Sequence, residues 1–212
     1  MGERVTISST DGLALEGEID GTDSPGAVLV LCHPHPKMGG TMNAPLLLAL
    51  RDELTDRAWA VIRFNFRGIG ASEGEASTGV AEVADAEGAL VLARERFPGL
   101  PIAIAGWSFG AAVALRVASS NDDLIACAVI APAIVAKPEI TAGAPAPDDF
   151  GFGGPTLVVC GVNDEQVSPA DCRRWAEASG ARYEEVPGAN HFFWAKYEQL
   201  GVLVGDFLDE AL

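Results

Sequence analysis

Short runs of β-branched and apolar residues alternate along this chain with longer segments whose apolar residues recur every three or four positions. That alternation predicts a mainly parallel sheet of about eight strands with helices on both faces, an α/β architecture. The first two strands are expected at residues 4–8 and 13–19, joined at Asp11-Gly12, a two-residue hairpin signal that makes the pair antiparallel. Residues 27–32, AVLVLC, are apolar throughout, as a strand covered on both faces must be. Asn43 is placed to cap a helix running to about Arg57, with Leu46, Leu47, Leu50 and Leu54 on one face. Strands at 60–64, 102–105, 125–130, 155–160 and 182–186 then alternate with helices at 79–97, 109–119, 169–179 and about 192–208. No fixed-period repeat or linker interrupts the pattern, so residues 1–212 are expected to form a single domain. The one irregular stretch, residues 135–154, is rich in Ala, Pro, Gly and Asp and reads as an excursion over the sheet edge or top.

Composition narrows the function classes. With 49% hydrophobic residues the chain builds a sizeable core and is not a disordered tail. A net charge of −16 repels phosphate backbones and anionic lipid, so neither nucleic acid nor a membrane surface is expected as partner. The longest apolar run, residues 125–136, contains Pro132 and falls well short of the roughly 20 residues that span a bilayer. The polar opening MGERVTISSTDG lacks the apolar stretch of a signal peptide. Cys32, Cys127, Cys160 and Cys172 form no C-x-x-C pair and read as reduced core thiols, which suits a cytoplasmic location.

The chemistry concentrates in three places. Gly106-Trp107-Ser108-Phe109-Gly110 stands between a strand and a helix, where flanking glycines let the two elements approach and lift the Ser108 hydroxyl out of the sheet edge. The same turn aims the Phe109 N–H at an oxyanion formed on an attacked carbonyl. A serine hydroxyl needs a base, and the chain holds three histidines. His191 follows the last strand in GANHFF and suits the role; His33 and His35 are bracketed by prolines in CHPHP. The base in turn needs a carboxylate, and Asp164, after the strand PTLVVC, supplies it, with Glu165 its nearest competitor. Each has a plain structural alternative: a turn serine, a buried histidine, a helix-entry charge.

The order Ser108, Asp164, His191 on this alternation resembles the α/β-hydrolase superfamily over nearly the whole chain. CHPHPKMGGTMNAP and FNFRGIGASEGE resemble more narrowly the small capless α/β hydrolases with an HPHP loop, similar to dienelactone-hydrolase-like and serine-peptidase-like members. Dienelactone hydrolases use a cysteine nucleophile where this chain has Ser108, so lactone specificity does not carry over. The resemblance implies a second oxyanion donor from the loop after the third strand. Pro34 and Pro36 have no N–H to give, which leaves His33 and His35, and the superfamily's His-Gly-x loop selects His35. The two imidazoles could equally hold the loop by hydrogen bonds. A metal on the H-x-H pair lacks a third ligand at a familiar spacing, and neither metal nor organic cofactor is expected. Arg67 serves either a substrate carboxylate or a structural ion pair. Trp107, Phe192 and Phe193 are candidate substrate-binding residues, with core packing as their alternative.

What the resemblance implies is a serine hydrolase that cleaves carboxylic esters of small molecules through an acyl-enzyme. A peptidase, amidase or thioesterase with the same residues is the nearest alternative, although no basic patch suits a CoA phosphate. A non-catalytic binding module on the same fold is the alternative from another class. The excursion before Pro155 is shorter than many helical lids, so an open, shallow site is expected. The last helix, with Val202, Val204 and Phe207, packs on its own sheet or on a twin subunit in a homodimer.

Overall fold

In the computed structural model, which describes residues 2–21 and 23–212, eight strands join in one sheet. They are β1 (Glu3–Ser8), β2 (Ala14–Asp20), β3 (Ala27–Cys32), β4 (Trp59–Phe64), β5 (Ile102–Trp107), β6 (Ala126–Ile130), β7 (Thr156–Gly161) and β8 (Arg182–Val186). Their order in space is β1-β2-β4-β3-β5-β6-β7-β8. β2 runs antiparallel to β1 and β4, and the other neighbours pair in parallel. From β3 the chain first places β4 on one side and then β5 on the other, which opens a crevice at the carboxyl ends of β3 and β5.

The helices are α1 (Pro45–Asp56), α2 (Glu82–Arg96), α3 (Phe109–Ala118), α4 (Pro169–Ser179) and α5 (Tyr197–Asp209). α2, α3 and α4 cover one face of the sheet and α1 and α5 the other. β3 shows why its sequence is apolar at every position: Val28, Val30 and Cys32 enter the first core while Ala27, Leu29 and Leu31 enter the second. All four cysteines are free and buried. Among the described residues no helix is long and apolar enough to cross a membrane.

Four local expectations need correction. The β1–β2 turn is a three-residue loop, because Ser9 N–H donates to the Leu13 carbonyl and Thr10, Asp11 and Gly12 lie between, with Gly12 at φ 95°. Asn43 does not cap α1. Ala44 stands there ahead of Pro45, and the Asn43 Oδ1 accepts instead from the buried Arg63 guanidinium at 3.0 Å. The last helix begins at Tyr197 rather than near Phe192, since Phe193 and Ala195 take positive φ of 52° and 58° that no helix continues through. α2 likewise starts at Glu82 instead of Gly79. The buried Glu82 carboxylate accepts from the backbone N–H groups of Ser77 and Gly79 and holds the preceding segment as a turn.

Arg67 resolves toward its structural reading. Its guanidinium donates to both oxygens of Asp85, which is fully buried on α2, and pairs with Asp11 at 2.9 Å. The loop after β4 is thereby tied to α2 and to the β1–β2 turn.

Candidate active site

Ser108 sits between β5 and α3 with φ 57° and ψ −112°, a conformation an L-residue adopts only when its surroundings impose it. The glycines on either side do the imposing. A Cβ on Gly106 would stand 2.3 Å from the Gly110 carbonyl oxygen, and one on Gly110 would stand 2.3 Å from the His33 carbonyl oxygen. Strand and helix therefore close to a distance that only glycine permits, and the serine is thrust out between them. Its own N–H donates to the Ile130 carbonyl at 2.8 Å and its carbonyl accepts from Ala133, which ties the turn to the end of β6.

The structure brings Ser108, His191 and Asp164 into one hydrogen-bonded line. Asp164 follows β7, its side chain fully buried, and its Oδ1 accepts from the N–H groups of Gln166 and Val167 at 2.9 Å each. Its Oδ2 lies 2.8 Å from His191 Nδ1, and His191 Nε2 lies 3.1 Å from Ser108 Oγ. A carboxylate only accepts, so Nδ1 carries the proton and Nε2 presents a lone pair to the serine hydroxyl. Two contacts hold the loops that meet here. Asn163 N–H donates to the Ala189 carbonyl at 2.8 Å, and Gly161 approaches that carbonyl so closely that a Cβ would stand 2.5 Å away. Glu165, the rival carboxylate, is exposed and lines the neighbouring cavity, and among the described residues the His191 ring bonds to Asp164 and Ser108, not to Glu165.

The HPHP loop lies against the same turn. His33 is fully buried; its Nε2 accepts from Phe66 N–H at 2.9 Å and its Nδ1 stands 2.6 Å from the Pro34 carbonyl. Burial pushes its pKa down to about 4 from an ordinary 6.5, so the ring is neutral at pH 7. The His35 ring accepts from Lys37 N–H through Nδ1 and reaches the Ile140 carbonyl through Nε2 at 3.0 Å. Both imidazoles are thus spent on backbone groups. Among the described residues, no set of three or more His, Cys, Asp or Glu is arranged to hold a metal ion. The backbone N–H groups of His35 and Phe109 donate to no protein acceptor among the described residues.

A cavity of about 610 Å³ opens beside Ser108, between the segment after β6 and the β7–α4 loop. Its wall includes His35, Phe109, Ile134, Val135, Ile140 and Val167. The short excursion expected to leave the site open therefore walls one side of it. Trp107, Phe192 and Phe193 do not line this cavity, which corrects their expected substrate-binding role there. Trp107 is buried and donates Nε1–H to the His191 carbonyl at 3.1 Å, so it holds the histidine's backbone. Phe193 is wholly inside the core beneath α5, and Phe192 packs on His191 from outside at 5.6 Å between ring centres. The wall residues Val135 and Ile140 were missed, and their one signal was the presence of branched apolar side chains in a Pro- and Gly-rich segment with no strand or helix to bury them.

The family model for serine aminopeptidase, S33, matches residues 23–150, a span that contains Ser108 and stops before Asp164 and His191. An uncharacterized protein of Rickettsia prowazekii is 31% identical over 208 residues, 91% of this chain and 85% of that protein. A lidless α/β serine hydrolase of Xanthomonas campestris superposes with a TM-score of 0.84 at 26% identity, covering 100% of this chain and 95% of that one. An α/β serine hydrolase homologue from Coxiella burnetii superposes with a TM-score of 0.83 at 27% identity, covering 96% of each.

Proposed function

We propose, from the premise that this chain belongs to the serine aminopeptidase S33 family of α/β hydrolases, that it hydrolyses carboxylic esters of small molecules through an acyl-enzyme on Ser108. The observation that carries this reading is the line from Asp164 Oδ2 through His191 to Ser108 Oγ, at 2.8 and 3.1 Å. His191 Nε2 takes the Ser108 proton as Oγ bonds to the ester carbonyl carbon. The carbonyl electrons move to its oxygen, where the N–H groups of Phe109 and His35 receive the charge. Collapse of the intermediate breaks the bond to the alcohol oxygen, which leaves with the proton from His191. Water then attacks the acyl carbon, gives its proton to His191, and the acid departs as the proton returns to Ser108 Oγ. Asp164 keeps the imidazole in the required tautomer and offsets its transient positive charge.

A second reading has its own support. The family is that of serine aminopeptidases, and the exposed Glu165 on the cavity wall is a carboxylate that an aminoacyl ammonium would meet. Purified protein is expected to hydrolyse p-nitrophenyl butyrate with saturation and to take up one equivalent of a fluorophosphonate. Ser108→Ala is expected to lose both. Full activity in that variant refutes the assignment, and aminoacyl anilides cleaved as fast as esters replace it with the peptidase. Absence of both turnover and labelling in the wild-type chain points to a binding module on the same fold.

A further inference from the structure

The cavity beside Ser108 approaches the serine from one side. Its wall holds Ser108, Phe109 and His35, the proposed nucleophile and both proposed oxyanion donors, and it does not include His191. In acyl transfer the leaving oxygen must come within hydrogen-bond reach of His191 Nε2 to receive its proton, so the alcohol part lies on the imidazole side. The acyl substituent, on the other side of the same carbonyl carbon, then points into the cavity.

The wall exposes more apolar than polar surface. Ile134, Val135, Ile140 and Val167 present apolar surface. Glu165 places an exposed carboxylate on the same wall, where it repels an anionic acyl group, while the Asp171 carboxylate is paired with Arg174. Lys137, also on the wall, sets its Nζ 3.3 Å from the Gln166 carbonyl. The apolar wall is built rather than loose. The Ile140 carbonyl is held by the His35 ring at 3.0 Å, Ala142 N–H donates to the Thr78 carbonyl at 2.7 Å, and Arg116 donates to the carbonyls of Ala142 and Gly143 at 3.1 and 2.8 Å. At about 610 Å³ the space is of the size that encloses a drug-sized ligand and far exceeds an acetyl group. The His191 side carries exposed aromatic surface instead. There Phe192 and Trp194 stack at 5.1 Å, and Trp194 is 65% exposed.

We propose that this cavity is an acyl pocket for neutral, apolar, medium-length chains, and that the alcohol part of the substrate stays outside it. The inference rests on the esterase reading of Ser108 and adds the substrate class. It is tested with p-nitrophenyl esters from acetate to laurate, a monosuccinate ester against butyrate, and one acyl group on aryl alcohols of matched acidity but different size. Each buried methylene is worth roughly four-fold, so kcat/KM is expected to rise at least about 30-fold from acetate to octanoate. The succinate is expected to lag butyrate by about ten-fold or more, as a like charge near a carboxylate should. Alcohol size is expected to matter little. Val135→Trp alters a position 56% exposed, which spares the core, and is expected to lower the octanoate-to-acetate ratio about ten-fold by filling the pocket. Fluorophosphonate labelling of the wild-type protein separates the two levels of the argument. One equivalent bound with a flat chain-length profile, or with a ratio unmoved by Val135→Trp, overturns the pocket and leaves the esterase reading standing. No labelling and no turnover overturn both.

Discussion

The His33 imidazole accepts a hydrogen bond at Nε2 from the Phe66 backbone N–H, and that settles where its proton is. Nδ1 carries it and donates to the Pro34 carbonyl at 2.6 Å. Because the Pro34–His35 peptide is planar and trans, fixing that carbonyl also fixes the direction of the His35 N–H, the proposed second oxyanion donor. One buried ring thus sews the HPHP loop to the loop after β4 and orients a group in the site.

A protonated His33 would face the Phe66 N–H with an N–H of its own. The folded protein therefore binds this proton only at about pH 4, while the unfolded chain takes it at 6.5. The folded state's advantage from a neutral ring is full above pH 6.5 and is lost as pH falls from there through about 4. In urea denaturation, the stability gap between the wild-type protein and His33→Gln is expected to narrow steadily across that window. A gap of constant size from pH 7 to 4 would count against a neutral, buried His33.

The positive φ of Ser108 sets its proposed role as nucleophile against stability at one residue. Glycine adopts that conformation without strain, so Ser108→Gly is expected to abolish hydrolysis while gaining part of the roughly 1–3 kcal/mol held in the turn, less glycine's larger loss of chain entropy. The net gain should raise the melting temperature by about 1–4 °C for a chain of this size. A lower melting temperature for the glycine variant would sink the strain argument.

Asp164→Asn keeps the shape of the side chain and removes its charge. If the amide keeps its oxygen toward the Gln166 and Val167 N–H groups, its NH2 faces His191 Nδ1 and calls for the opposite tautomer, with the proton on Nε2 toward the serine. Turnover is expected to fall by about 10³–10⁴ at neutral pH with little change in stability. Steady-state rates alongside a thermal melt check both halves.

The Arg67–Asp85 pair gives a contrast between buried and exposed carboxylates on one guanidinium. Asp85→Ala leaves a buried cation without its main partner and is expected to cost about 3–5 kcal/mol. Asp11, half exposed, holds the same guanidinium, and Asp11→Ala is expected to cost under about 1 kcal/mol. Equal losses in the two variants by chemical denaturation would show that burial is not what gives the pair its weight.

Much of this is legible in the sequence. The all-apolar AVLVLC run announced a strand with two covered faces, and the glycines around Ser108 announced a strand and helix in close approach. Other features depended on partners that no local pattern names. Asn43 has the side chain of a helix cap, yet the buried Arg63, paired with Asp20 of β2, donates to its oxygen. Phe193 looked available to a substrate, but two positive-φ residues turn the chain so that the ring points into the core while Phe192 remains outside.

Period and glycine placement sufficed to specify the sheet, its helices and the candidate nucleophile turn, because those signals act through neighbours a few residues away; the candidate acid and base were legible from the strand ends they follow and from an order along the chain that resembles the superfamily's. The cavity wall, the tautomer of His33 and the side of Ser108 that faces the cavity were decided by contacts between segments far apart in the chain. His35 meets Ile140 and His33 meets Phe66 only once the sheet has brought their loops together. Hydrogen bonds at about 3 Å are set by position in space, and a linear pattern holds no record of that until the chain has folded.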